Sequence, residues 1–237
     1  MDYNVYLNFA KDKLGVTFND IELLVTAFTH RSYVNEHKKT VKEHNERLEF
    51  LGDAVLELVS TEYLYTSFSD PEGVLTNWRS ALVRTESISA AASRCDFEPL
   101  LRLSRGEKHG TERARQQILA NSFEAVIGAI YLDQGYEVAK KFITDDLLVT
   151  FKDILQTGSW LDSKSYFQEV VQSKEGLTPI YKVLSESGPD HDKTFVVGVF
   201  VDGKLKGQGA GPSKQIGQQQ AAEKALKQYT DKLTTEV

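Results

Sequence analysis

The sequence has 237 residues, of which 41% are hydrophobic and 26% are charged. This length suits one large domain or two modest ones, and the composition is that of an ordinary folded protein. Because Cys95 is the sole cysteine, an intramolecular disulfide and a zinc cluster built on cysteines are both excluded. The net charge of −6 argues against a generally basic nucleic-acid-binding protein.

Negative charge is concentrated in the first part of the chain. Residues 160–229 carry nine Lys against eight Asp or Glu, whereas residues 1–159 carry a net charge of −6. The amino terminus lacks a basic region followed by an apolar run, and no apolar stretch approaches the ~20 residues of a membrane span. We therefore expect no signal peptide, no membrane association and a cytoplasmic location.

The first part of the chain predicts helices and has almost no alternating pattern. The Asx pair Asn19-Asp20 is predicted to start the second helix, and residues 29–33 are predicted to end it. Residues 35–44 are polar and predict a loop. The Ser-Asp-Pro-Glu-Gly sequence at 69–73 predicts a break between two helices. The predicted helices cover residues 3–14, 21–28, 45–68, 74–95 (one helix or a bent pair), 112–131 and 138–155.

The pattern changes after a short polar stretch, residues 156–159, which we interpret as a linker. Asp202-Gly203 separates two β-rich runs and predicts a hairpin turn. The predicted elements are a helix over 164–173, strands at 180–184, 195–201 and 204–207, and a helix over 213–229. The chain thus predicts a helical domain, residues 1–155, and a small α-β-β-β-α domain, residues 160–230.

An acidic stripe marks the helix that begins near Asn45. Glu46, Glu49 and Asp53 fall within an arc of about 60° at helical spacing. Apolar residues gather on the opposite side and are predicted to face a core: Leu48, Leu51, Val55 and Leu58. The stripe is either a solvated acidic face or a site for a hard divalent cation, which prefers carboxylate oxygens. Periodicity alone favours the solvated face.

Two polar residues interrupt the helix predicted over 112–131. Asn121 and Glu124 share one face of this helix, whose centre is apolar on most faces and is therefore predicted to be buried. Unpaired polar groups in such a place cost about 2–7 kcal/mol each in transfer measurements. The two side chains therefore either form hydrogen bonds with neighbouring helices or belong to a site.

The string Asn-Glu-Arg-Leu-Glu-Phe-Leu-Gly-Asp-Ala-Val-Leu at 45–56 resembles the signature of the ribonuclease III family. The α-β-β-β-α order is similar to that of a double-stranded RNA-binding domain. The resemblance extends from about residue 7 to residue 229. It implies an all-α endonuclease domain followed by a small α+β double-stranded RNA-binding domain.

The resemblance also implies a site in the helical domain for two Mg²⁺ ions, or for Mn²⁺ in their place. Glu49, Asp53 and Glu124 match the metal-binding carboxylates of the family, with Asp53 and Glu124 as catalytic residues. Asn121 occupies a further metal position, where the family usually has Asp. Glu46 and Glu72 match acidic positions that line the substrate cleft.

Asn121 is a departure from the family pattern. An amide oxygen can ligate Mg²⁺, but it brings no charge and accepts a proton poorly. Two interpretations stay open: a natural variant that still cleaves RNA, or a double-stranded RNA-binding protein with impaired cleavage. A third is a structural or ribosome-associated relative that uses the helical domain for dimerisation.

In the second domain, the resemblance implies contacts with an RNA duplex. Gln168, Glu169 and Gln172 share a helical face and match positions that contact 2′-hydroxyl groups, and His191 matches a second contact region. Lys214 matches a phosphate-binding cluster at a helix amino terminus. The family usually has two adjacent lysines there, so the single lysine predicts weaker and more salt-sensitive RNA binding.

The function that the resemblance implies is hydrolysis of phosphodiester bonds in double-stranded RNA, including ribosomal and other structured precursors, by a homodimer. Products carry 5′ phosphates and 3′ overhangs. Phe50 and Leu51 lie where dimer contacts are expected, although Leu51 is equally suited to a core. The five histidines show no H-E-x-x-H spacing, so a zinc hydrolase is not expected.

Overall fold

Helices and strands occupy separate parts of the chain. The computed structural model describes residues 3–157, 163–189 and 193–231. The chain divides into two compact units, Met1–Trp160 and Leu161–Val237. The described residues of the first unit form helices and connecting loops, and those of the second form a three-stranded antiparallel sheet with two helices. The predicted fold class is therefore confirmed. No helix among the described residues is both long and apolar enough to cross a membrane.

The first unit contains two long helices and several short ones. Its helices are α1 (Tyr3–Phe9), α2 (Ile21–Ala27), α3 (Arg31–Glu36), α4 (Glu46–Ser67), α5 (Glu72–Leu82), α6 (Thr85–Arg94), α7 (Glu112–Gln134), α8 (Tyr136–Asp146) and α9 (Phe151–Thr157). A π-helical turn, Ala10–Leu14, extends α1, and the predicted segment over 74–95 is a bent pair. The Asp20 side chain accepts a hydrogen bond from the backbone N–H of Glu22 and so caps α2.

Two predictions about helix boundaries were wrong. The segment predicted to end the second helix starts a new one, α3, because His30 Nδ1 accepts a hydrogen bond from the backbone N–H of Ser32. The helix predicted over 138–155 is interrupted at Leu147. Asp145 and Asp146 lie just before the interruption, where their negative charge opposes the helix dipole.

α7 lies at the centre of the first unit, and α4 packs along it. The two backbones approach each other most closely where glycines face each other. A Cβ atom added to Gly52 would lie 1.7 Å from the Glu124 carbonyl oxygen, and one added to Gly128 would lie 2.3 Å from the Leu48 carbonyl oxygen. Any larger side chain at either glycine would push the helices apart.

Leu58 does not face the core, contrary to the prediction from α4. Its exposed fraction is 56%, whereas Leu48 and Val55 are buried. The buried face of α4 is centred on Gly52 and Leu56, because the contact with α7 sets the rotation of the helix. Leu58 is therefore exposed on the outer side of the helix, as Phe50 is two turns earlier.

The second unit has the predicted element order. It consists of α10 (Ser163–Glu175), β1 (Ile180–Ser187), β2 (Thr194–Val201), β3 (Lys204–Gly211) and α11 (Lys214–Asp231), with sheet order β1-β2-β3. The predicted hairpin turn is present, and both Asp202 and Gly203 have positive φ angles. Of the predicted linker, residues 156–157 belong to α9, and residues 158–159 lie outside the described residues.

Replacing Gly52 by alanine tests the close packing of α4 on α7. We expect Gly52→Ala to lower the free energy of unfolding of the helical unit by about 3 kcal/mol, because the added Cβ overlaps backbone atoms. Gly73→Ala is the matched control, since nothing lies within 4 Å of a Cβ at this exposed helical position. Thermal and urea unfolding measure the stability of both variants. Equal stability of the two variants would contradict the packing described.

Candidate active site

The glycine contact brings acidic residues of two helices together. Glu49 and Asp53 flank Gly52 on α4, and Glu124 lies on α7, one turn before Gly128. The backbone N–H of Glu49 donates to the Asn45 carbonyl oxygen, so that Glu49 belongs to the rigid first turn of α4. The predicted carboxylates thus share one location because the backbones carrying them are in contact.

The three carboxylates interact electrostatically, and Glu49 and Glu124 are partly buried whereas Asp53 is exposed. Burial, together with the negative charges of Asp53 and Glu49, raises the pKa of Glu124 to about 8. Burial also raises the pKa of Glu49, as do the charges of Glu46 and Asp53. Water compensates the ionised carboxylates poorly here, so the protonated form of Glu124 is favoured near neutral pH, and a bound cation would favour the ionised form.

Asn121 interacts with two partners. Its Oδ1 accepts a hydrogen bond of 2.7 Å from Nε2 of Gln117, one turn earlier on α7. The Asn121 side chain also opposes the rise in the pKa of Glu49. Sequence reasoning missed Gln117, although its i, i+4 spacing from Asn121 was a usable signal.

The chemistry of these residues fits a hard divalent cation, since Glu49, Asp53 and Glu124 offer carboxylate oxygens from two rigid helices. Within the described residues, no three His, Cys, Asp or Glu side chains are already grouped so as to hold a metal ion. A cation that bound all three carboxylates would require these side chains to turn toward a common centre.

The two residues predicted to line the substrate cleft have different surroundings. Glu46 is exposed, and its carboxylate lies 3.5 Å from Nη1 of Arg31 and 3.8 Å from Nδ1 of His44. Glu72 is the exposed first residue of α5. No interaction recorded for the described residues connects Glu72 with the carboxylates of α4 and α7.

Phe50 projects from α4 next to a cavity of about 800 Å³, and its exposed fraction is 81%. Apolar residues of three helices line part of the cavity, Phe50 itself with Leu23, Leu48, Leu51 and Leu132, and polar or charged residues such as Glu22, Lys42 and Arg47 line the rest. Sequence reasoning missed Leu23 and Leu132, because each is an ordinary helical leucine until the helices are packed together.

Three of the predicted RNA contacts lie on α10. Gln168, Glu169 and Gln172 are all exposed, on the side of the helix opposite the buried Phe167 and Val171. This arrangement leaves one polar surface available to a ligand.

The remaining predicted RNA contacts are not on α10. Lys214 is the exposed first residue of α11, and its Nζ lies 5.7 Å from the centre of the Phe195 ring. Nζ of Lys164, a residue that sequence reasoning missed, donates to Oε1 of Gln218 at 2.9 Å and so adds a second positive charge near the start of α11. His191 lies outside the described residues.

Comparisons with known proteins agree with this description. Residues 20–151 match the family described as ribonuclease-III-like, and residues 163–229 match the double-stranded RNA binding motif. Ribonuclease 3 of Enterococcus faecalis is 45% identical over 218 residues, covering 92% of this chain and 94% of the relative. Ribonuclease 3 of Streptococcus gordonii is 46% identical over 222 residues, with coverage of 92% and 94%.

A solved structure is similar to the first unit. The nuclease domain of ribonuclease III from Campylobacter jejuni is 38% identical, with a TM-score of 0.53, and the match covers 59% of this chain and 97% of that domain. That structure is described as flexible in a region involved in dimer formation.

The raised pKa of Glu124 predicts a pH-dependent stability. Between the ordinary pKa of 4.5 and the raised value of about 8, the folded protein binds more protons than the unfolded chain, so stability falls as the pH rises. In EDTA at pH 7, we expect Glu124→Gln to unfold at a higher temperature than the unaltered chain. The expected gain in the free energy of unfolding is on the order of 2 kcal/mol.

The control for this variant is Glu112→Gln, which removes an exposed carboxylate from the start of the same helix and should give no gain. Differential scanning fluorimetry between pH 4.5 and 8.5 measures the unfolding temperature of both variants and of the unaltered chain. The same pH dependence in Glu124→Gln as in the unaltered chain would show that Glu124 has an ordinary pKa.

Proposed function

Since this chain belongs to the ribonuclease III family, and is therefore a double-strand-specific endoribonuclease with a double-stranded RNA-binding domain, we propose that Glu49, Asp53 and Glu124 form its metal-dependent active site. The observation that carries this proposal is the mutual electrostatic interaction of these carboxylates at the α4–α7 contact. We assign catalysis to residues 1–155 and RNA binding to residues 160–230.

The residues of the proposed active site have different roles in the reaction. Glu49, Asp53 and Glu124 would hold two Mg²⁺ ions, or Mn²⁺, and the bound ions would supply the charge that activates water and stabilises the leaving 3′ oxygen. To bind an ion, Glu124 would release the proton that its raised pKa retains near neutral pH in the metal-free protein. Glu46 and Glu72 line the cleft. The products carry 5′ phosphates and 3′ overhangs.

The RNA-binding surface combines the exposed polar side of α10 with the start of α11. Gln168, Glu169 and Gln172 contact 2′-hydroxyl groups, His191 contacts a second region of the duplex, and Lys214 binds phosphate. These contacts recognise the shape of a duplex, so ribosomal precursors and other structured RNAs in the cytoplasm are suitable substrates. With one lysine at the start of α11, binding is weak and sensitive to salt.

Phe50 supports a homodimer. An aromatic side chain with an exposed fraction of 81% lies next to a cavity of about 800 Å³ that includes Leu23 and Leu132. In a twofold dimer, Phe50 of each subunit can enter the cavity of the other, because such an interface pairs the same surface with itself. The dimer then brings two active sites to one duplex, one for each strand.

Cleavage of a labelled RNA duplex tests the activity. We expect the unaltered chain to cut at low millimolar Mg²⁺ and Glu124→Gln to cut at least about 100-fold more slowly, because a metal ligand is lost. Asn121→Asp is compared across Mg²⁺ and Mn²⁺ titrations, with a gel-shift measurement of binding. If Asn121→Asp alone cuts while both forms bind the duplex, the unaltered chain is a binding protein and the proposal fails.

Replacing Phe50 by alanine tests the dimer. We expect Phe50→Ala to weaken self-association by about 2 kcal/mol or more, as loss of a central aromatic anchor does. Sedimentation equilibrium measures the effect. Tyr65→Ala is the control, since Tyr65 is an exposed aromatic residue of the same helix that does not line the cavity. Dimers of unchanged affinity in Phe50→Ala would exclude this interface.

A further inference from the structure

Arg47 lies on the exposed surface of α4, one turn before Phe50. Residues three apart on a helix are neighbours on its surface, so the Arg47 guanidinium and the Phe50 ring project side by side. Within residues 3–157, 163–189 and 193–231, the Arg47 side chain forms neither an ion pair nor a hydrogen bond. A cation without a counterion in its own subunit therefore accompanies the exposed aromatic ring.

The charged side chains around the cavity beside Phe50 are mostly acidic. Carboxylates outnumber cations by two among the charged residues that line it: Asp20, Glu22, Glu43, Glu46, Lys42 and Arg47. A twofold interface pairs this surface with itself, so acidic rim would face acidic rim. Like charges repel across an interface. The two rims can therefore associate favourably only where the cations of one subunit meet the carboxylates of the other.

Three of the four rim carboxylates interact within their own subunit. Asp20 caps α2, Glu22 accepts a hydrogen bond from a tyrosine hydroxyl, and Glu46 lies near an arginine. Glu43 differs, because it is exposed and has no ion pair or side-chain hydrogen bond in the part of the chain that the structure describes. Glu43 is thus the rim carboxylate best suited to pair with a cation from another subunit.

We propose that Arg47 pairs with Glu43 of the partner subunit when Phe50 enters the cavity, and that this pair sets the register of the dimer. The occupant of the cavity is then a second copy of this chain, because the copy supplies both an aromatic anchor and the cation that the acidic rim lacks. The twofold axis repeats the contact, so one dimer contains two such pairs. The inference rests on the proposed function, because it requires the Phe50 dimer.

The pair contributes specificity more than affinity. Exposed ion pairs are weak and are screened by salt, whereas a buried aromatic anchor supplies most of the attraction. Opposed like charges are nevertheless costly, so reversing one member of the pair has a larger effect than removing it. Charge reversal is therefore the appropriate test.

Two full-length variants with opposite reversals, Arg47→Glu and Glu43→Lys, test the pair. Each variant alone opposes like charges at both repeats of the contact, so we expect its self-association to weaken at least about tenfold at low ionic strength. In an equimolar mixture, a heterodimer restores opposite charges at both repeats. We therefore expect the mixture to associate nearly as tightly as the unaltered chain. Sedimentation equilibrium of each variant and of the mixture measures these affinities.

Arg113→Glu and Glu137→Lys form the matched control pair. Both residues are exposed and neither lines the cavity, while the two substitutions change the net charge of each chain by the same amounts. We expect each control variant to dimerise like the unaltered chain and their mixture to show no preference for heterodimers. An equal preference in the control mixture would assign the effect to net charge and overturn the inference.

The remaining outcomes separate the pair from the dimer. A preference for heterodimers that declines between about 0.05 and 0.5 M salt supports the pair. Self-association of either single variant at the unaltered strength, or a mixture as weak as the separate variants, overturns the pair while the dimer of the unaltered chain stands. An unaltered chain that stays monomeric, or a Phe50→Ala variant that dimerises normally, overturns the proposed dimer and the inference with it.

Discussion

The contact between the Gly52 and Gly128 backbones is the constraint on which the helical unit depends. A Cβ atom on either residue would overlap a carbonyl oxygen of the opposite helix, so only glycine permits this approach. The contact sets the rotation of α4, which turns Val55 inward and leaves Phe50 and Leu58 outward. It also fixes the distance between the acidic residues of α4 and α7. One packing requirement therefore determines the core, the exposed face and the acidic cluster.

The acidic cluster costs stability in the protein without a bound cation. Glu49 and Glu124 have raised pKa values because they are partly buried and surrounded by other carboxylates, and no lysine or arginine is among the causes of either shift. A protein selected only for stability would place a cation or an apolar side chain there. The Asn121 side chain offsets part of the rise in the pKa of Glu49. A bound divalent cation would stabilise the ionised carboxylates, and it would displace the proton that Glu124 retains near neutral pH.

The sequence predicted the two long helices, the α-β-β-β-α order and the Asp202-Gly203 hairpin, because each depends on local periodicity or turn chemistry. It failed where long-range packing decides. The exposure of Leu58 depends on the rotation that α7 imposes on α4, and the cavity beside Phe50 requires three helices to meet.

The most direct test of this account is the pKa of the Glu124 carboxyl group, measured by ¹³C nuclear magnetic resonance in the metal-free protein and again with Mg²⁺. The account predicts a midpoint of about 8 without metal. It also predicts a marked fall when Mg²⁺ is added, since the cation stabilises the ionised form. A midpoint at the ordinary value of 4.5 that Mg²⁺ leaves unchanged would contradict it. The carboxylates would then be neither held together by the glycine contact nor joined by a cation.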